Sequence, residues 1–189
     1  WGANLFIATV YLHFLTVLLA KSYRRPRELT WLTGIALLFL SVGLGFSGYL
    51  LPWSELSFFA TRVGAEIPGS LPMVGGQIKR MLIGGDYVTG ATITRFYAAH
   101  VVILPLSLAV AVGLHVAFVQ LQGMSLPLGM RPKAVKDQEP FFSEFLLTDA
   151  SAWLLLLGAV ATLAVLFPAE LGPPADALKP TPEGIKPEW

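Results

Sequence analysis

All three histidines of this chain lie inside long apolar runs that carry no Asp, Glu, Lys or Arg in their interiors. Three runs, roughly Gly2 to Ala20, Trp31 to Leu51 and Phe96 to Leu121, reach the roughly 18 apolar residues that read as a membrane span. A fourth, Ala150 to Phe167, is shorter but has no charge after Asp149. Charged residues make up 13% of the chain, against about 25% in soluble domains. The expected fold is therefore all-α, a transmembrane bundle with four spans. Membrane lipid is the first expected partner.

The connections differ in character. "KSYRRPRELT" is short and sets Lys21, Arg24, Arg25 and Arg27 against one acid, which places it on the negative side of an energised membrane. Alternation then puts Pro52 to Thr94 on the positive side, Gln122 to Thr148 back on the negative side, and the tail after Phe167 on the positive side. In the long positive-side loop, "SELSFFATRV" and "GGQIKRMLIGG" have the spacing of short interfacial helices. A loop of that length usually covers a site. The tail "PPADALKPTPEGIKPEW" is too rich in proline for a helix and reads as an extended surface segment.

The chain has no cysteine, so neither a disulfide nor a thiolate metal site nor thioether haem attachment arises within it. Its net charge of +1 says nothing about partners; no nucleic acid is expected. The first run has no basic leader and no cleavage site, so it does not read as a signal peptide. The chain opens on "WGANLF", already inside an apolar helix, and stops on "GIKPEW". The expectation is an internal segment of a longer polypeptide.

The histidines occupy two depths. His100 and His115 are fifteen positions apart, about 22 Å along a helix and within about 60° of one direction. His13 and His115 both lie near the negative-side end of their runs, so they can meet across a bundle. His100 lies near the other end, five residues after Arg95, and cannot meet His13. A single membrane histidine is as readily a structural hydrogen-bonder or part of a proton relay. Three at matched depths, with no carboxylate in the spans, favour axial ligation of haem iron between facing helices. Two histidines do not close a zinc site. Gly34 and Gly48, fourteen positions apart, repeat at about 21 Å and would let a flat ring approach the backbone. Glycines also simply aid helix packing in membranes.

The pieces "WGANLF…LH", "RPRELTW", "GYLLPW", "TRFYAAH…LP…H" and "IKPEW" follow one another as in a known family. The chain resembles cytochrome b of the cytochrome bc complexes, the quinol:cytochrome c or plastocyanin oxidoreductases, over nearly its whole length. The resemblance implies two b-type haems. His13 and His115 would hold the negative-side, higher-potential haem, and His100 the positive-side, lower-potential one. The partner of His100 would lie two residues upstream of Trp1. Gly34 and Gly48 would line the haem sites.

It further implies quinol oxidation on the positive side, with one electron passing through both haems to a negative-side quinone site and protons translocated. Glu188 would take a proton from quinol, with Pro187, Phe58 and Thr61 as walls of that pocket. Asp149 falls where the family has a quinone-contacting acid, though an acid at a helix N-terminus needs no other reason. The implied partners are a Rieske-type iron–sulfur protein and a cytochrome c-type subunit, in a homodimeric complex of a bacterial inner membrane. The implied organisation is a haem-binding N-terminal region over 1–122, lacking its first helix and the start of its second. A negative-side connector over 123–148 would follow, and then the start of a C-terminal region over 149–189.

Two positions depart from the family. Thr16 stands where an arginine usually meets a haem propionate, leaving Arg24, Arg25 or Arg27 as substitutes. Gln120 stands where mitochondrial members have a quinone-binding histidine. The alternatives that remain are the b-haem anchor of another redox enzyme, such as a formate dehydrogenase or hydrogenase cytochrome, and a non-redox transporter with proton-relay histidines.

Overall fold

In a computed structural model of the chain, residues 1–123, 125 and 141–186 are described. The described residues are helical with no extended strand. In order they form α1 (Gly2–Leu19), α2 (Glu28–Tyr49), α3 (Glu55–Gly69), α4 (Gly75–Ile83), α5 (Gly90–Ala98), α6 (Leu104–Gln122) and α7 (Leu146–Leu166). A π turn, Ala99–Ile103, joins α5 to α6, and a second, Phe141–Phe145, precedes α7. Four helical stretches are long and apolar enough to cross a membrane: Gly2–Leu19, Glu28–Tyr49, Gly90–Gln122 and Ser143–Leu166. They are the four expected spans, each extended or trimmed by a few residues. Lipid offers no hydrogen bonds to the backbone, so a continuous helix is the form that satisfies every N–H and C=O there.

The chain divides into two compact units. One comprises Trp1–Gly34 and His115–Ala169. Its helices bury no side chain fully along α1 or α7, as fits apolar faces that lipid solvates as well as protein does. Polar contacts tie its ends instead. The Trp1 indole Nε1 donates to the Phe167 carbonyl at 2.8 Å, capping an orphan acceptor past the end of α7. Thr30 Oγ1 donates to Gln122 Oε1 at 2.7 Å, and Arg27 Nε to the Gly123 carbonyl at 2.8 Å. Phe14 stacks on Trp31 with ring centres 5.6 Å apart.

The other unit comprises Ile35–Leu114 and the tail from Glu170, and it holds a dry core. Leu50, Phe58, Phe59, Ala65, Ile83, Val88 and Phe96 pack together there. Both interfacial segments expected from the sequence are helices, α3 and α4. Pro52 ends the run of α2, because it offers no N–H and its ring blocks the preceding turn. Ser54 then caps α3, its hydroxyl accepting from the Ser57 N–H at 3.3 Å. At the α3–α4 corner a Cβ on Gly75 would lie 2.2 Å from the Gly69 carbonyl oxygen, so only glycine fits. The described tail is not helical, as its prolines require, but it is not simply extended: turns close Lys179 N–H onto Asp176 O and Ile185 N–H onto Pro182 O. It is pinned to the head of α3 by Glu55 N–H to Pro173 O and Ala175 N–H to Trp53 O, both 2.8 Å.

Candidate haem and quinol sites

Within the first unit, His13 of α1 and His115 of α6 face each other. Their ring centres are 6.5 Å apart and their planes cross at 83°. A direct imidazole–imidazole hydrogen bond would bring the centres to about 5 Å. A metal–nitrogen bond of about 2 Å plus about 1 Å from nitrogen to ring centre puts two axial imidazoles on one metal about 6 Å apart. The observed spacing matches the second arrangement. Behind His115 stands α2. Thr33 Oγ1 lies 3.0 Å from His115 Nδ1, and a Cβ on Gly34 would lie 3.3 Å from His115 Cε1.

Within the second unit, His100 sits in the π turn and packs on the far end of α2. A Cβ on Gly48 would lie 2.6 Å from His100 Cε1 and 3.1 Å from Nδ1. Real Cβ atoms do not approach so closely, so glycine is required unless the ring moves. His100 Nδ1 lies 3.1 Å from Ser47 Oγ and 3.1 Å from the Leu44 carbonyl. The same two-residue pattern, hydroxyl then glycine, therefore backs each histidine. The π turn was not foreseen from the sequence, although a signal exists. The glycines repeat at fourteen positions and the histidines at fifteen, and a π turn absorbs one residue. Such single π turns recur at functional sites.

The remaining expected residues fall in several places. Phe58 is buried in the core, edge-on to Trp53 and Phe59. Thr61 is buried, its hydroxyl donating to the Ser57 carbonyl at 2.8 Å. The adjoining face of α3 borders an open cavity of about 220 Å³, lined by Phe59, Ala60, Arg62, Val63 and Glu66 with Thr181, Ile185 and Lys186 of the tail. Pro187 and Glu188 lie outside the described residues. Asp149 is exposed in the first turn of α7, and its Oδ2 accepts from the Trp153 indole at 3.1 Å. That contact is local to one helix. Thr16 turns its hydroxyl back to the His13 carbonyl at 2.7 Å. Of the basic residues considered in place of an arginine there, Arg25 is exposed and pairs with Glu28 at 3.2 Å. Arg27 is engaged with Gly123.

The family model described as Cytochrome b(N-terminal)/b6/petB matches residues 4–174. The chain belongs to the cytochrome b family. It is 45% identical over 190 residues to the cytochrome bc complex cytochrome b subunit of Chlorobaculum thiosulfatiphilum, covering 100% of this chain and 44% of that protein. It is 44% identical over 129 residues to the menaquinol:cytochrome c reductase cytochrome b subunit of Bacillus subtilis, covering 68% of this chain and 58% of that protein. A solved structure titled "Hyperthermophilic respiratory Complex III" superimposes with a TM-score of 0.80 at 36% identity, over all of this chain and 52% of that one. The chain thus spans about half the length of these relatives.

Membership of the cytochrome b family implies binding of haem b. The residues present fit that group. Among the described residues no three His, Cys, Asp or Glu side chains cluster as a metal centre. An iron already held by four porphyrin nitrogens needs only two axial ligands. The His13–His115 spacing suits that need, and Gly34 and Gly48 keep the α2 backbone bare where the imidazoles lean on it.

Proposed function

We propose that this chain is the haem-bearing part of the cytochrome b subunit of a quinol-oxidising cytochrome bc complex. Two b haems would be held, one between His13 and His115 and one on His100. The observation that carries the reading is the 6.5 Å separation of the His13 and His115 rings, too long for a proton-relay contact and right for two ligands on one iron. When bound, haem b supplies reversible one-electron chemistry at each place. The second axial ligand of the His100 haem would come from outside this sequence.

The work of the chain's own residues follows from their positions. His115 and His100 each have Nδ1 engaged by α2, which leaves Nε2 as the nitrogen for a ligand bond. Gly34 and Gly48 give the rings room. On the positive side, the cavity between α3 and the tail supports the reading of a quinol pocket, and its wall residue Lys186 immediately precedes Pro187 and Glu188 in the sequence. Glu188 is the proposed proton acceptor, with Phe58 and Thr61 stiffening the helix behind the pocket. Asp149 is retained as a negative-side quinone contact. The electron acceptors implied are a Rieske-type iron–sulfur protein, itself serving a cytochrome c-type subunit, and the haems. The complex would be a homodimer in a bacterial inner membrane and would translocate protons.

A redox titration of the full-length complex tests this directly. Two b-type components are expected. His115→Leu should remove one and His100→Leu the other. Retention of both components in either variant would overturn the assignment.

A further inference from the structure

The hydroxyl–glycine pattern of α2 holds more information than close packing. Thr33–Gly34 meets His115, and Ser47–Gly48 meets His100, through hydroxyl contacts to Nδ1 of 3.0 and 3.1 Å. A hydroxyl has one hydrogen and two lone pairs, so the direction of each contact depends on where that hydrogen goes. Thr33 Oγ1 lies 3.0 Å from the Leu29 carbonyl and 2.9 Å from that of Thr30, and donates into its own helix. Ser47 Oγ donates likewise to the Leu44 carbonyl at 3.2 Å. Each oxygen is left facing Nδ1 as an acceptor. At His100 the Leu44 carbonyl, which can only accept, demands the same polarity. Both rings therefore carry their hydrogen on Nδ1 and their lone pair on Nε2.

We propose that Thr33 and Ser47 are positioning residues that fix the tautomer and plane of His115 and His100, and so set the potentials of the two haems. The inference rests on the haem-ligand reading above. An acceptor on Nδ1–H orients the ring and raises the basicity of the nitrogen bound to metal. A more basic ligand stabilises ferric over ferrous iron and holds the potential down. The hydroxyls thus act oppositely to a bare apolar helix face, and each acts on one haem only.

The test uses the full-length complex carrying Thr33→Val or Ser47→Ala, with Thr33→Ser and Ser47→Thr as conservative partners. Two readouts are taken: the midpoint of each b component, and the low-spin ferric electron paramagnetic resonance signal, which depends on the angle between ligand planes. Thr33→Val should raise only the component that His115→Leu removes. A three- to tenfold change in the ferric-to-ferrous preference corresponds to about 30–60 mV for one electron. Its resonance signal should move with it, and Thr33→Ser should restore both. Ser47→Ala should raise only the other component, and by less, because the Leu44 carbonyl still accepts.

Unchanged midpoints and signals in Thr33→Val, with both haems present, would overturn the inference. If Thr33→Val loses a haem while Thr33→Ser keeps its native potential, the hydroxyl is again required. If both variants lose it, the residue acts through packing and the inference fails. Should His115→Leu and His100→Leu each leave both components in place, it is the ligand assignment that fails, and the two failures are distinguishable.

Discussion

A Cβ on Gly48 would lie 2.6 Å from His100 Cε1, closer than any two such carbons can rest. The backbone of α2 and the imidazole of the π turn are therefore in mutual contact, and the absence of a side chain is what lets the ring lie there. Gly45, three residues earlier on the same helix, has nothing within 4 Å of its Cβ position. Gly48→Ala should displace His100 and deplete one b component selectively, with an overpacking cost of about 1–3 kcal/mol. Gly45→Ala should leave the spectrum unchanged. Reduced-minus-oxidised spectra of the two variants make the comparison. Equal haem loss in both would point to helix packing in general.

The corresponding contact at Gly34 is looser, 3.3 Å to His115 Cε1, and a few tenths of an ångström of ring movement relieves it. Gly34→Ala should keep its haem and shift the midpoint, while Gly34→Val should lose the haem. A redox titration of the two variants separates a graded response from an all-or-none one.

The pairing of His13 with His115 makes a prediction about additivity. Two ligands of one iron act as a unit, so their losses do not sum. His13→Leu and His115→Leu should each abolish the same b component, and the double variant should lose no more than either. Spectral titration of the three proteins decides it. Loss of different components would place the two residues on different haems.

Much of this was legible in the sequence because the membrane simplifies the problem. A charge-free run of helical length has one way to satisfy its backbone, so four spans could be placed from composition and length. The depth argument for His13 and His115 needed only the rise per residue. Three things were not legible. The π turn around His100 shows in the sequence only as the mismatch between glycines fourteen and histidines fifteen positions apart, which has meaning only once α2 and the histidine helix are known to be in contact. The hydroxyls of Thr33 and Ser47 look like ordinary helix-packing residues until their partners are known. The core around Leu50 and Phe96 joins α2 to α5 through side chains far apart in sequence. Phe58 and Thr61 were expected on a pocket wall, and the structure sets them on the buried face of α3, with Phe59, Ala60 and Val63 at the cavity.

Arg95 supplies a prediction about the corner between α4 and α5. Its guanidinium Nη1 donates to the Met81 carbonyl at 2.8 Å, and its Nε sits 2.7 Å from where a Gly84 Cβ would be. Gly84 has a φ of +83° and ends α4 in the left-handed region, where glycine avoids strain. Arg95→Ala would leave the Met81 carbonyl of α4 without its charged donor, at a cost of about 1 kcal/mol. The expected result is faster amide exchange across Gly75–Ile83 with haem content intact. Protection equal to that of the unaltered protein would mean that α4 is held by its apolar face alone.

Glu188 carries the remaining prediction. Quinol oxidation releases two protons as its electrons leave, and one proton can depart with an iron–sulfur partner. The other needs a base within hydrogen-bond reach of the quinol, with a pKa near the working pH, and partial burial can bring a carboxylate toward that range. The tail that leads to Glu188 is held at its root by Trp53 and Glu55. It borders the α3 cavity through Thr181, Ile185 and Lys186, and Glu188 follows Lys186 by two positions in the sequence. Glu188→Gln keeps the size and hydrogen-bonding shape of the side chain but cannot accept the proton. In the full complex it should slow quinol oxidation about tenfold or more, as expected for the loss of a general base, with both b components retained. Stopped-flow reduction of the haems by quinol measures the step. Loss of haem would make Glu188 structural, and an unchanged rate would assign the proton to another acceptor along the cavity, with Glu66 on α3 the next to test.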